Sequence, residues 1–123
     1  DEDAARRAYA GALMQYALGP RVPTERERSL GYRAHFERMG FTEALAELDR
    51  RRTRGASQDE LADAFPPDLL RRVGYYGPAA GAAEAFRSLA EGLDVAIVRV
   101  VAARPGLDSV TAVMEACSPE TAG

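Results

Sequence analysis

The sequence predicts an α/β fold, and two observations carry that expectation. From Val73 to Val101 the chain runs as a short apolar stretch, Gly77-Pro78, an Ala-rich amphipathic segment, Gly92 and the apolar run VAIVRVVA. That order reads as strand, turn, helix, strand, the βαβ unit of a parallel sheet with a crossover helix packed on its face. Val95 to Ala102 is almost wholly β-branched or aliphatic, interrupted only by Arg99, which is the pattern of a strand buried on both faces. No third strand is found, and a central-type strand with at most one short neighbour leaves a row of backbone donors and acceptors unpaired. The chain is therefore expected to be a piece of a larger α/β protein, or to have its sheet completed by another chain.

The remaining elements read as helices. From Glu2 to Leu18, Ala5, Tyr9, Ala12, Leu13 and Tyr16 fall on one face, with acids in front and Gly19-Pro20 behind. In the polar connection that follows, Thr24 and Glu27 have capping-box spacing. Tyr32, Phe36 and Met39 then recur at i, i+4 and i+7, giving a short helix ended by Gly40. Phe41, Leu45 and Leu48 line a second one, which closes on Arg50, Arg51, Arg52 and Arg54 before Gly55. Ser57 and Glu60 form another capping box ahead of Leu61, Ala64 and Phe65. Pro66-Pro67 stops that helix, and Asp68 can cap a further turn through Leu69 and Leu70. After the long apolar run, Pro105-Gly106 turns the chain into a final helix bearing Val110, Val113, Met114 and Cys117, which Pro119 ends. The last few residues are expected to fray.

Composition narrows the function classes. All 16 basic residues are Arg and none is Lys, a bias that matches a GC-rich bacterial genome. The net charge of −3 disfavours a phosphate-backbone partner, so no nucleic acid is expected. No apolar stretch approaches the roughly 20 residues of a membrane span and no signal-peptide pattern appears, so no membrane partner is expected. Cys117 stands alone, which excludes an intrachain disulfide and suits a reducing cytoplasm. The chain opens on Asp1 and its first helix begins almost at once, as in an excerpt of a longer protein, a processed product or a chain whose beginning is missing.

The run from Phe65 to Pro119 resembles the C-terminal end of the luciferase-like monooxygenase superfamily. The matching pieces are Phe65-Pro66-Pro67-Asp68, Gly77-Pro78, Gly92-Leu93-Asp94-Val95 and the run through Val101. Upstream, DEDAARRAYAGALMQYALG resembles the helix after the seventh-strand region, and YRAHFERMGFTEALAEL resembles the family's helical insertion. The resemblance implies the C-terminal portion of a (β/α)8 TIM-type barrel, mainly helical with one or two parallel strands. Residues 1–123 would be a single segment: a barrel helix over 1–19, a helical insertion over 20–72 and the closing strand-helix-strand-helix over 73–118. It further implies FMN or a deazaflavin coenzyme in the intact protein. The early strands that bind the flavin ring and the Gly-rich loops that hold its phosphate are missing here, so no cofactor and no activity are expected of this chain alone. The expected partners are a small-molecule substrate, and the remaining barrel segment or another chain, a homo-oligomer included. The competing expectation is a small, mostly helical interaction module that pairs through an exposed strand.

No catalytic signature is present, and the pocket candidates are Arg99, Tyr32, Arg33, His35 and Phe36. His35 is the only imidazole, beside Tyr32, Arg33 and Phe36. In a helical cap over a barrel mouth this group could touch substrate, with Arg33 or Arg28 meeting an anionic group; otherwise His35 and Arg33 lie on a solvated face. Arg99 sits within an apolar strand, where a lone charge costs several kcal/mol to desolvate. It is expected to face an inward polar cavity, to form a structural ion pair or to snorkel. No metal site is expected, because His35 has no partner ligand. Gly77-Pro78 ahead of a helix could receive an anion but lacks clustered glycines. Arg50 to Arg54 reads as a helix C-terminal charge cluster, and Cys117 as a buried small hydrophobe.

Overall fold

The computed structural model describes residues 1–122. Among them every regular element is helical: α1 Glu2–Ala17, α2 Glu25–Arg28, α3 Gly31–Phe36, α4 Thr42–Thr53, α5 Gln58–Ala64, α6 Pro67–Val73, α7 Ala82–Leu89 and α8 Leu107–Ala116, with a π turn at Glu37–Phe41 and short 3-10 turns at Ala79–Gly81 and Pro119–Ala122. The expected fraying falls partly on Gly123, which lies outside the described residues.

The α/β expectation is overturned, and with it the barrel fragment. No strand occurs among the described residues; of the first apolar run Val73 ends α6 while Gly74, Tyr75 and Tyr76 are irregular, and Val95 to Ala102 carries neither helix nor strand. The physical reason is the shortage of partners visible in the sequence. A strand is held by its neighbours, and an isolated one leaves its donors and acceptors to water.

Helix boundaries follow local chemistry. The Asp1 carboxylate caps α1, accepting from the Asp3 and Ala4 amides at 3.0 and 3.3 Å. Both capping boxes form, at Thr24–Glu27 and Ser57–Glu60. Gly40 has φ +99°, a left-handed conformation that costs glycine nothing, and this separates α3 from α4.

The chain forms two compact units, Ala10–Leu69 and Asp1–Tyr9 with Leu70–Gly123. In the first, Leu45 and Leu48 of α4, Leu61 of α5, Phe65 and Leu69 are buried together with Met14, Leu18 and Phe36. Each such side chain contributes about 1.5–3 kcal/mol by leaving water. The second unit has a thinner core: Leu70, Tyr76, Ala82 and Ala83 are its buried apolar residues. Tyr9 donates from its hydroxyl to the Leu70 carbonyl at 3.2 Å, and Tyr75 to the Pro78 carbonyl at 2.7 Å. Helix α8 buries no residue, and Leu107 and Met114 are exposed. Cys117, expected in a core, is only half-buried, and its thiol pKa is raised by desolvation.

Candidate functional site

In the unit of residues 10–69, three of the five pocket candidates come together with one aromatic that was not among them. Tyr32 meets Tyr16 edge-on at 4.9 Å and 70° between planes. Phe36 lies 6.4 Å from Tyr32 and 6.1 Å from the His35 ring. Such edge and tilted pairs suit the ring quadrupoles. Tyr32 and His35 remain exposed while Phe36 is buried, so Phe36 anchors a surface cluster.

Arg33 is not on a solvated face. It is 6% exposed and each of its three nitrogens donates: Nε to Glu37 at 2.7 Å, Nη1 to the Ala17 carbonyl at 3.1 Å and Nη2 to Asp49 at 3.0 Å. The other oxygen of Asp49 accepts from Arg52 at 2.9 Å, and Arg52 also donates to the carbonyls of Gly19 and Leu18 at 2.7 and 3.2 Å. A buried charge is tolerated when paired and hydrogen-bonded. This network meets both conditions while satisfying the free carbonyls at the end of α1. Its role is structural.

Sequence reasoning missed Asp49, and it placed Arg52 in the charge cluster at the C-terminal end of α4, where it lies, without its tertiary partners. The signal was present: Leu45, Leu48, Asp49 and Arg52 recur at i, i+3, i+4 and i+7, so two charges occupy the apolar stripe of α4.

Arg99 belongs to the other unit, is exposed, and sits in the irregular segment. Around it lies the most conspicuous apolar exposure of the chain: Leu93 at 62%, Val95 at 78% and Ile97 at 94%, with Val98 also exposed. Single exposed apolar residues are normal, whereas a contiguous run marks a contact surface.

Among the described residues no group of three His, Cys, Asp or Glu side chains could hold a metal ion, and no helix is long and apolar enough to cross a membrane. The turn at Gly77-Pro78 leads into Ala79–Gly81 and then α7, whose N-cap Gly81 offers no side-chain cap. Compared with protein-family models, curated proteins and solved structures, the chain matches none.

Proposed function

We propose that this chain works by association, docking its segment Leu93–Val98 on polypeptide that carries a flavin or deazaflavin site. It would thereby supply part of a luciferase-like oxidoreductase that performs monooxygenation or hydride transfer on a small organic substrate. The observation that carries the association is the exposure of Leu93, Val95, Ile97 and Val98 in a backbone without regular structure. Burial of Leu93, Val95 and Ile97 on a partner is worth about 1.5–3 kcal/mol each before the cost of ordering them. The thin core around Leu70, Tyr76, Ala82 and Ala83 supports the same reading, since this unit gains apolar contacts by binding.

The oxidoreductase part of the proposal is supported by the ordered motifs Phe65-Pro66-Pro67-Asp68, Gly77-Pro78 and Gly92-Leu93-Asp94-Val95. The cofactor would supply the electron chemistry, and this chain would help exclude water from it. A second reading, a free-standing helical module that adds an extended segment to a sheet edge of an unrelated protein, is favoured by the well-filled core of residues 10–69.

The test is to express the complete reading frame that contains this sequence and record its visible absorbance after supplying FMN or the deazaflavin coenzyme. Stoichiometric cofactor is expected, with Ile97→Asp lowering occupancy or assembly. A complete product that binds neither coenzyme overturns the oxidoreductase reading. One that assembles equally well with Ile97→Asp overturns the docking role. Titration of the isolated chain with either coenzyme should give no saturable change.

A further inference from the structure

A protease takes its substrate as an extended strand: main-chain hydrogen bonds hold several residues on either side of the scissile bond while a pocket receives one side chain. A bond inside a helix is out of reach until that helix opens, so a folded chain is cut first where regular structure is lacking. Val95 to Ala102 meets that condition along its whole length, since it carries neither helix nor strand. Val95, Ala96, Ile97, Val98 and Arg99 are all exposed. The only charge in this run is that of Arg99, so a basic side chain stands in the middle of an accessible, irregular stretch of backbone.

The other arginines lack this combination. Of the 16 in the chain, all but Arg21, Arg54, Arg99 and Arg104 lie in α-helices or in the π turn. The single turn of α2, with Arg26 and Arg28, is locked by the capping box between Thr24 and Glu27. Arg21 grips both oxygens of Glu27 at 2.9 and 2.7 Å and donates to the Val22 carbonyl at 3.3 Å, so its guanidinium is engaged. Arg54 lies in the turn that ends α4, where its amide donates to the Arg50 carbonyl at 3.1 Å and those of Gly55 and Ala56 donate to Arg52 and Arg51 at 3.0 Å. Arg104 is exposed and irregular, but Pro105 follows it, and a proline ring with no N–H and a fixed φ on the leaving side obstructs attack at that bond. Arg99–Val100 is the arginyl bond that joins exposure, irregular backbone and a successor other than proline.

We propose that Arg99–Val100 is a cleavage site for an arginine-directed endopeptidase, open in the unassembled chain. Water is consumed as the amide C–N bond breaks, leaving a carboxylate on Arg99 and an ammonium on Val100. The cut severs residues 100–123, with α8, from the rest and puts a new negative charge at the end of the apolar run. The regulatory half rests on the docking reading: a partner seated on Leu93–Val98 closes the site, so only free chain is cut. The probe is trypsin at a low enzyme-to-substrate ratio under native conditions, read by intact mass. From the isolated chain the first products are expected to be residues 1–99 and 100–123, formed about tenfold or more faster than any other pair. Arg99→Gln should leave the chain intact over the same time, with unchanged far-UV circular dichroism because the side chain is exposed. A first cut elsewhere, comparable rates at several arginines, or an Arg99→Gln variant cut as early as the parent overturns the site. In the product of the complete reading frame the same bond should be cut about tenfold or more slowly than in the isolated chain. Equal rates in the two overturn the docking and the regulation built on it, while the site stands on the isolated chain alone.

Discussion

Replacement of Asp49 by Ala tests whether the charged network holds the unit of residues 10–69. The substitution removes two charge-assisted hydrogen bonds, to Arg33 at 3.0 Å and Arg52 at 2.9 Å. It leaves Arg33, whose side chain is 7% exposed, with one fewer anion, and Arg52, whose Nε already lacks an acceptor. Breaking a buried pair from one side costs about 3–5 kcal/mol. Here the stranded guanidiniums keep Glu37 and the carbonyls of Ala17, Leu18 and Gly19, which places the expected loss near the lower end, about 3 kcal/mol. In a small domain that lowers Tm by roughly 10–20 °C. Asp49→Asn, which keeps one acceptor and the volume, should cost about 1–2 kcal/mol. Thermal melts and urea titrations by far-UV circular dichroism read both, with an unchanged m-value identifying a pure stability effect. If Asp49→Ala lies within about 0.5 kcal/mol of the parent, the range of an inert surface change, the network does not hold the helices together.

Three further outcomes are expected. A Cβ at Gly74 would collide with the Tyr9 hydroxyl and come within 2.9 Å of its Cζ, so Gly74→Ala should lose about 1–3 kcal/mol by overpacking, and adding Tyr9→Phe should restore part of it. Burial pushes the Tyr9 phenol from 10.0 up to about 12. Because the folded value is the higher one, the stability tied to the neutral phenol is complete below pH 10 and is lost as pH rises towards 12. Tyrosinate absorbance should therefore show Tyr9 ionising late and together with unfolding, and early ionisation in the folded chain would contradict its burial. Ser57→Ala removes the side-chain acceptor for the Glu60 amide and should cost about 1 kcal/mol in the same melts.

The helical part of the fold was legible because its signals are local. Thr24 with Glu27 and Ser57 with Glu60 set helix starts by contacts three residues apart, and Gly40 sets a break through its own backbone. Val95 to Ala102 was misjudged because strand character is a contract with neighbours. The same β-branched residues that suit a buried strand stay irregular where no ladder meets them. That the run lacked partners was also legible, and this part survives in the exposure of Val95 and Ile97. For the candidate residues, sequence grouped Tyr32, His35 and Phe36 through helical spacing, but it could not assign Arg33 to Asp49, 16 residues away. Tertiary pairing of that kind leaves only the indirect trace of charges in an apolar stripe.

Association through the exposed segment is tested most directly by hydrogen exchange of the amides of residues 95–100, compared between the isolated chain and the product of the complete reading frame. Amides outside helices and strands, on exposed backbone, should exchange almost as fast as in an unfolded chain, while those of α4 are protected. In the complete product the amides of residues 95–100 should become protected as their backbone finds partners. Protection already equal to that of α4 in the isolated chain, or none in either state, would contradict the account.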